Sequence, residues 1–127
     1  MGDALTEIEL DKIVEFYSKY IRTIDKGTAR KAVLEHLKYG TVDYAVEEKG
    51  NVIGLCRWNI SENGTVARII DLAVDEKWRR QGVAKNFLVR GLKLWKNIKF
   101  VEFERELRGD KRRRRIPVEF ILKRNIF

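Results

Sequence analysis

The stretch from Thr65 to Glu106 changes its hydrophobic period twice, and this restricts the fold more than any other feature of the chain. Residues 65–74, TVARIIDLAV, read as a β-strand. From Ala84 to Trp95 the apolar side chains fall at helical spacing, with Ala84, Phe87, Leu88, Gly91, Leu92 and Trp95 on one face. Residues 98–106, IKFVEFERE, return to a strand pattern. A strand–helix–strand connection within one sheet crosses over with a right hand in nearly all folds, so these two strands are expected to run parallel.

Upstream, two turn signals cut residues 42–74 into three strand-like runs. Glu48-Lys49-Gly50-Asn51 is the first and Ser61-Glu62-Asn63-Gly64 the second; Asn-Gly is a strong hairpin signal. Strands near 42–48, 51–60 and 65–74 then form an antiparallel meander. Before it, Leu10, Ile13, Val14, Tyr17, Tyr20, Ile21 and Ile24 trace one buried stripe of a helix. Thr6 and Glu9 form a capping box, Leu5 and Leu10 staple the start, and Gly27 is read as its end. A second, shorter helix runs over TARKAVLEHLKYG, with Ala29, Val33 and Leu37 inward and Gly40 as its stop. After residue 105 there is room for one short helix, which Pro117 can open, and a strand. Gly109-Asp110 marks a turn. The expected class is α/β: a mixed sheet with two N-terminal helices, a three-strand meander, then a helix, a parallel strand and a short C-terminal helix. Residues 1–127 are expected to form one domain.

A chain of 127 residues that is 44% hydrophobic and 36% charged suits a globular domain, one burying roughly two thirds of its unfolded surface. No apolar run approaches the length of a membrane span, and MGDALTEIELDK lacks the character of a secretory signal. The one cysteine, Cys56, allows no internal disulfide and fits a reducing, cytoplasmic setting. The net charge of +8 is unevenly divided. Residues 1–76 carry 10 basic and 14 acidic side chains, net −4; residues 77–127 carry 17 and 5, net +12. Such a field attracts anions: nucleotide phosphates, nucleic acid or an acidic partner.

The positive half begins at Trp78-Arg79-Arg80-Gln81-Gly82-Val83-Ala84-Lys85-Asn86, where the strand hands over to the helix. A helix start offers unpaired N–H groups and the positive end of its dipole, so an anion can rest there. Gly82 has no β-carbon and lets backbone amides approach a phosphate closely; Ala84 is small for the same reason. Arg79 and Arg80 add bidentate donors, and Gln81 or Lys85 a further one. With one glycine and no Lys-Ser/Thr pair, this is neither a dinucleotide fingerprint nor a P-loop.

The segment IIDLAVDEKWRRQGVAKNFL resembles the acetyl-CoA-binding segment of the GCN5-related N-acetyltransferases (GNAT). That family's Arg/Gln-x-x-Gly-x-Gly/Ala appears as Arg79-Arg80-Gln81-Gly82-Val83-Ala84, and its preceding Leu-x-Val as Leu72-Ala73-Val74. The order of elements resembles the family over residues 5–105; residue-level likeness is confined to 70–95. The resemblance implies that acetyl-CoA lays its pyrophosphate on the amides of residues 80–85. Its pantetheine arm pairs with the backbone of Leu72, Ala73 and Val74, where two parallel strands splay apart. A backbone amide near Leu72 or Ala73 then faces the thioester carbonyl, and the acceptor amine attacks directly. No metal is implied. Proton handling is left to a carboxylate. Asp71 is the candidate, with Glu102 and Glu104 on the next strand as alternatives. The plain structural reading of Asp71 is a strand-end charge or a partner for Arg68; for the glutamates it is a solvated strand face.

The chain departs from the family pattern at both ends. No tyrosine follows the fourth strand to protonate the leaving thiolate; the four are Tyr17, Tyr20, Tyr39 and Tyr44. The usual opening strand is missing, and the tail is too short for the usual closing hairpin. In its place stands Lys111-Arg112-Arg113-Arg114-Arg115, whose removal lowers the net charge from +8 to +3. It is read as a solvated basic loop, or as a contact for nucleic acid, an acidic protein or the 3′-phosphate of CoA. The leading expectation is an N-acetyltransferase acting on an unidentified primary amine. Its alternatives are an acyl-CoA binder without turnover, and a non-enzymatic module that binds nucleic acid or an acidic partner through its basic half. A homodimer that completes the acceptor wall is left open. His36, the single histidine, and Cys56 read as structural; Trp58, Trp78 and Trp95 as core or its edge, with Trp78 able to flank the cofactor.

Overall fold

The computed structural model describes residues 5–38, 42–107 and 110–124. The meander forms as its turn signals require. Strands β1 (Val42–Val46), β2 (Val52–Ser61) and β3 (Val66–Val74) pair antiparallel in sequence order. The β2–β3 turn takes Glu62, Asn63 and Gly64 through left-handed φ values of 50°, 58° and 82°, which asparagine and glycine tolerate. Helix α3 (Val83–Leu94) then carries the chain over the sheet, and β4 (Phe100–Leu107) returns parallel to β3. Strand β5 (Asp110–Pro117) folds back antiparallel on β4, giving a five-stranded mixed sheet in the order β1-β2-β3-β4-β5.

Hydrophobic burial fixes one layer on each face. On one, Phe87 and Leu88 of α3 and Ile121 of α4 (Val118–Arg124) pack on Cys56, Trp58, Ala67, Ile69 and Val101. On the other, Ile13 and Val14 of α1 (Glu7–Phe16) and Ala29 and Val33 of α2 (Lys26–Lys38) pack on Leu55. Trp58 meets Trp95 edge-on at 5.7 Å, so both belong to the first core.

Several expectations require correction. The first helix does not run to Gly27. Its α-helical part ends at Phe16, a π-turn spans Tyr17–Ile21, and Gly27 lies inside α2. The stronger local signal is Asp25: its carboxylate accepts the Thr28 N–H at 2.9 Å and the Thr28 hydroxyl at 2.7 Å, capping α2. With 13 residues, α2 is also longer than the 10-residue α1. Gly40 and Gly109 lie outside the described residues. Pro117 ends β5, with α4 beginning one residue later.

The basic run is strand, not loop. Lys111–Arg115 lies within β5, in register with residues 102–106 of β4: Glu102 faces Arg115, Glu104 faces Arg113 and Glu106 faces Lys111, while Arg105 faces Arg112 and Phe103 faces Arg114. Where the side chains are described, the opposite charges of Glu102 and Arg115 meet directly across the pair, which favours the pairing.

The β2–β3 pairing slips once. Arg57 pairs with Asp71 but Trp58 with Ile69, so Ile70 is an extra residue in β3. This β-bulge reverses the alternation. Ile69 and Leu72 both face the α3 layer, while Asp71, directly opposite Arg57, and Ala73 turn to the α1–α2 side.

Gly54 of β2 lies under α3, and a β-carbon there would stand 2.9 Å from Val83 Cγ1 and 3.1 Å from Phe87 Cε2. Gly54→Ala is expected to destabilise the fold by roughly 1–3 kcal/mol through overpacking, as read from the midpoint of urea unfolding.

Candidate acyl-donor site

The site is built where β3 stops having a neighbour. Its register with β4 covers Val66–Ile69 against Phe100–Phe103. Beyond that, β4 continues with β5 while β3 continues to Val74, so the two strands diverge. From Ile70 to Val74, the β3 edge facing β4 has no strand partner among the described residues. Leu72, Ala73 and Val74 are bonded on the other side to Cys56, Leu55 and Gly54, which holds this edge straight.

The turn after β3 is held by Asp75. Its N–H donates to the Ile53 carbonyl at 2.8 Å, its Oδ1 accepts the Lys77 N–H at 2.9 Å, and its Oδ2 accepts the Tyr20 hydroxyl at 3.3 Å. A single 3₁₀ turn, Glu76–Trp78, follows. Arg79 donates Nε to the Val74 carbonyl at 3.1 Å, and Gln81 donates Nε2 to the Lys77 carbonyl at 3.1 Å. Gln81 thus braces the turn with the amide that the sequence assigns to a ligand. Arg80 has φ of 66°, uncommon for a residue with a side chain, and Gly82 has φ of 84° as the N-cap of α3.

Two independent features of this turn fit a diphosphate. The first intrahelical bond of α3 runs from Asn86 N–H to the Gly82 carbonyl, which leaves the amides just before Asn86 pointing outward. A β-carbon built on Gly82 meets nothing within 4 Å, so the glycine opens space as well as supplying the left-handed turn. A cavity of about 540 Å³ lies here, lined by Val74, Trp78, Arg79, Arg80, Gly82, Val83, Ala84 and Lys85. All but Gln81 of the expected phosphate-binding residues therefore line one hollow, and Trp78 forms part of its wall.

The carboxylates are placed differently. Asp71 receives Arg57 Nε on Oδ2 at 2.6 Å, so its partner is Arg57 and not Arg68. The bulge at Ile70 is the reason, because it aligns Asp71 with Arg57 across β2–β3. Glu102 is 8% exposed, with Oε2 taking Arg115 Nε at 3.1 Å and NH2 at 2.9 Å. Glu102 is a buried carboxylate paired with the exposed Arg115 rather than part of a solvated face. Arg115 also reaches Glu62 at 3.1 Å, tying the β2–β3 turn to the β4–β5 hairpin. The Glu104 side chain lies outside the described residues, as do those of Lys111, Arg112 and Arg113.

Three residues gain significance only in the fold. Arg57 and Tyr20 are distant in sequence from the groups they bind. His36, on α2, lies electrostatically close to Arg57 and Asp71, and burial together with the Arg57 charge pushes its pKa below the ordinary imidazole value. Cys56 is fully buried, and desolvation drives its thiol far above the usual range, so it is no nucleophile at neutral pH. Among the described residues, no helix is long and apolar enough to cross a membrane.

Residues 6–103 match the family described as the acetyltransferase (GNAT) family. No curated protein matches the chain. Among solved structures, Ard1 from Thermoplasma volcanium is 27% identical with a TM-score of 0.52, over 64% of this chain and 56% of that one. The GNAT family N-acetyltransferase YhbS from Escherichia coli, solved with CoA, is 23% identical with a TM-score of 0.55, over 80% and 59%. A spermidine N-acetyltransferase SpeG chimera from Vibrio cholerae and hSSAT shares the fold at 15% identity and a TM-score of 0.62, over 96% and 97%. The chain thus spans between half and three fifths of the length of Ard1 and YhbS.

Because the His36 pKa is lowered in the folded chain, the unfolded chain binds the extra proton first. Stability is then present above the unfolded imidazole pKa and falls as pH drops through it. Between pH 7.5 and 5.5, the melting temperature of His36→Gln is expected to fall less than that of the parent, in parallel thermal melts.

Proposed function

Since the chain belongs to the GNAT acetyltransferase family, we propose that it moves an acetyl group from acetyl-CoA to a primary amine by direct attack. The observation that carries this reading is the unpaired edge of β3 running straight into the Gly82 turn. An extended amide-bearing chain suits such an edge, and a diphosphate suits the turn at its end. YhbS was solved with CoA, which supports the same donor here.

In this reading, the amides of residues 80–85 take the pyrophosphate, with Arg79, Arg80 and Lys85 adding charge around it. The backbone of Leu72, Ala73 and Val74 holds the pantetheine arm. An amide at Leu72 or Ala73 faces the thioester carbonyl and stabilises the oxyanion, a contribution of roughly 3–4 kcal/mol in other acyl transfers. The amine nitrogen forms the new C–N bond, the C–S bond breaks, and the thiolate leaves with the bonding pair. The proton lost by the amine goes to Asp71. Of its two carboxylate oxygens, Oδ2 accepts Arg57 and Oδ1 is unspent among the described residues. Glu102 is less suited, because burial and the bidentate Arg115 contact hold it away from solvent.

Isothermal titration tests the donor site. The parent is expected to bind acetyl-CoA, and Gly82→Glu to weaken binding about 100-fold or more, because it sets a carboxylate against the pyrophosphate. Equal affinity in both proteins overturns the site. Asp71→Asn is expected to lower kcat at least tenfold with acetyl-CoA affinity nearly unchanged, as followed by release of free CoA; an unaltered kcat removes Asp71 from proton transfer.

A further inference from the structure

The α1–α2 face of the sheet, beside the point where β3 and β4 part, carries a charge pattern that bears on the acceptor. This inference rests on the acetyl-transfer reading and goes beyond it to the class of amine. Four carboxylates near this point are engaged by donors of the chain. Asp71 is held by Arg57, Glu102 and Glu62 by Arg115, and Asp75 by the Tyr20 hydroxyl and the Lys77 N–H. Polycationic acceptors need uncompensated negative charge, and these four carboxylates supply little of it.

Arg57 is the opposite case. It gives only Nε to Asp71, and neither terminal nitrogen has a partner among the described residues. Its side chain is 25% exposed and that of Asp71 21%, so the pair is reachable yet partly shielded. Partial burial strengthens a charge-assisted hydrogen bond over its value in open water. The planar fork of the guanidinium suits a carboxylate or phosphate. The neighbouring His36 is kept from protonating by burial and by Arg57 itself, so it adds no competing cation at neutral pH.

The two unspent groups are adjacent. Arg57 and Asp71 face each other across β2–β3, and Asp71 precedes Leu72 on the edge assigned to the thioester. Oδ1 of Asp71 suits an ammonium, and the free end of Arg57 suits an anion a few atoms away. We propose that the acceptor is a small amine carrying its own carboxylate or phosphate close to the amino group, and that Arg57 is the residue that selects it.

The test is a panel followed by free-CoA release, a readout that the buried Cys56 does not disturb. L-glutamate, L-alanine and O-phosphoethanolamine are compared with the uncharged ethanolamine and with spermidine and an aminoglycoside, after acetyl-CoA binding has been measured by titration. The expected result is that at least one anionic amine exceeds ethanolamine and both polycations in kcat/KM by tenfold or more; the amino acids and the phosphate compound distinguish which anion is preferred. Arg57→Gln is expected to raise KM for that amine about 10- to 100-fold, with Arg57→Lys intermediate and acetyl-CoA affinity unchanged in both. If the parent binds acetyl-CoA but prefers a polycation, or turns over no anionic amine, the acceptor class is overturned while the donor site stands. Failure to bind acetyl-CoA removes both. Should Arg57→Gln melt early, the comparison of Arg57→Lys with the parent and the panel on the parent alone still decide.

Discussion

Five residues of β3 have hydrogen-bonding capacity on one side that no strand among the described residues uses. Backbone N–H and C=O groups left unpaired away from water are costly, so such an edge is kept only where solvent or a ligand meets it. Its existence depends on a division of partners: β3 pairs with β4 over four residues, after which β4 stays with β5. Arg115, bonded to Glu102, ties β5 to β4 beside the last residues that β3 and β4 share.

The positive half of the chain thereby acquires two roles. Part of it is spent internally, as where Arg115 holds Glu102 and Glu62 together. The remainder surrounds the α3 start, where Arg79, Arg80 and Lys85 line the hollow before the helix. Net charge alone cannot separate these uses, because an arginine bonded to a glutamate and one facing a cavity count equally.

The N-terminal helices reach this centre through a polar contact as well as through the core. The π-turn at Tyr17–Ile21 widens one helical turn, and Tyr20 within it bonds Asp75, the residue that also sets the turn before α3. A π-turn is often found where a helix serves a site. The helical layer and the turn before α3 therefore share one carboxylate.

The sequence by itself determined the order of elements, the meander, the crossover and the Gly82 turn. Each of these follows from local signals: period, turn chemistry and a single glycine at a strand-to-helix junction. It also carried the likeness of Leu72–Ala84 to an acyl-CoA segment, since main-chain recognition leaves a short, contiguous trace. Only the tertiary structure decided the bulge at Ile70, which turns Asp71 toward Arg57 fourteen positions earlier, and the pairing of Glu102 with Arg115. Only it showed that the basic run is a strand and that Tyr20 bonds Asp75. The physical reason is the same for all four: they are set by register and by contacts between distant residues, and a one-residue shift in register reverses every side chain without altering the composition or period from which a sequence is read.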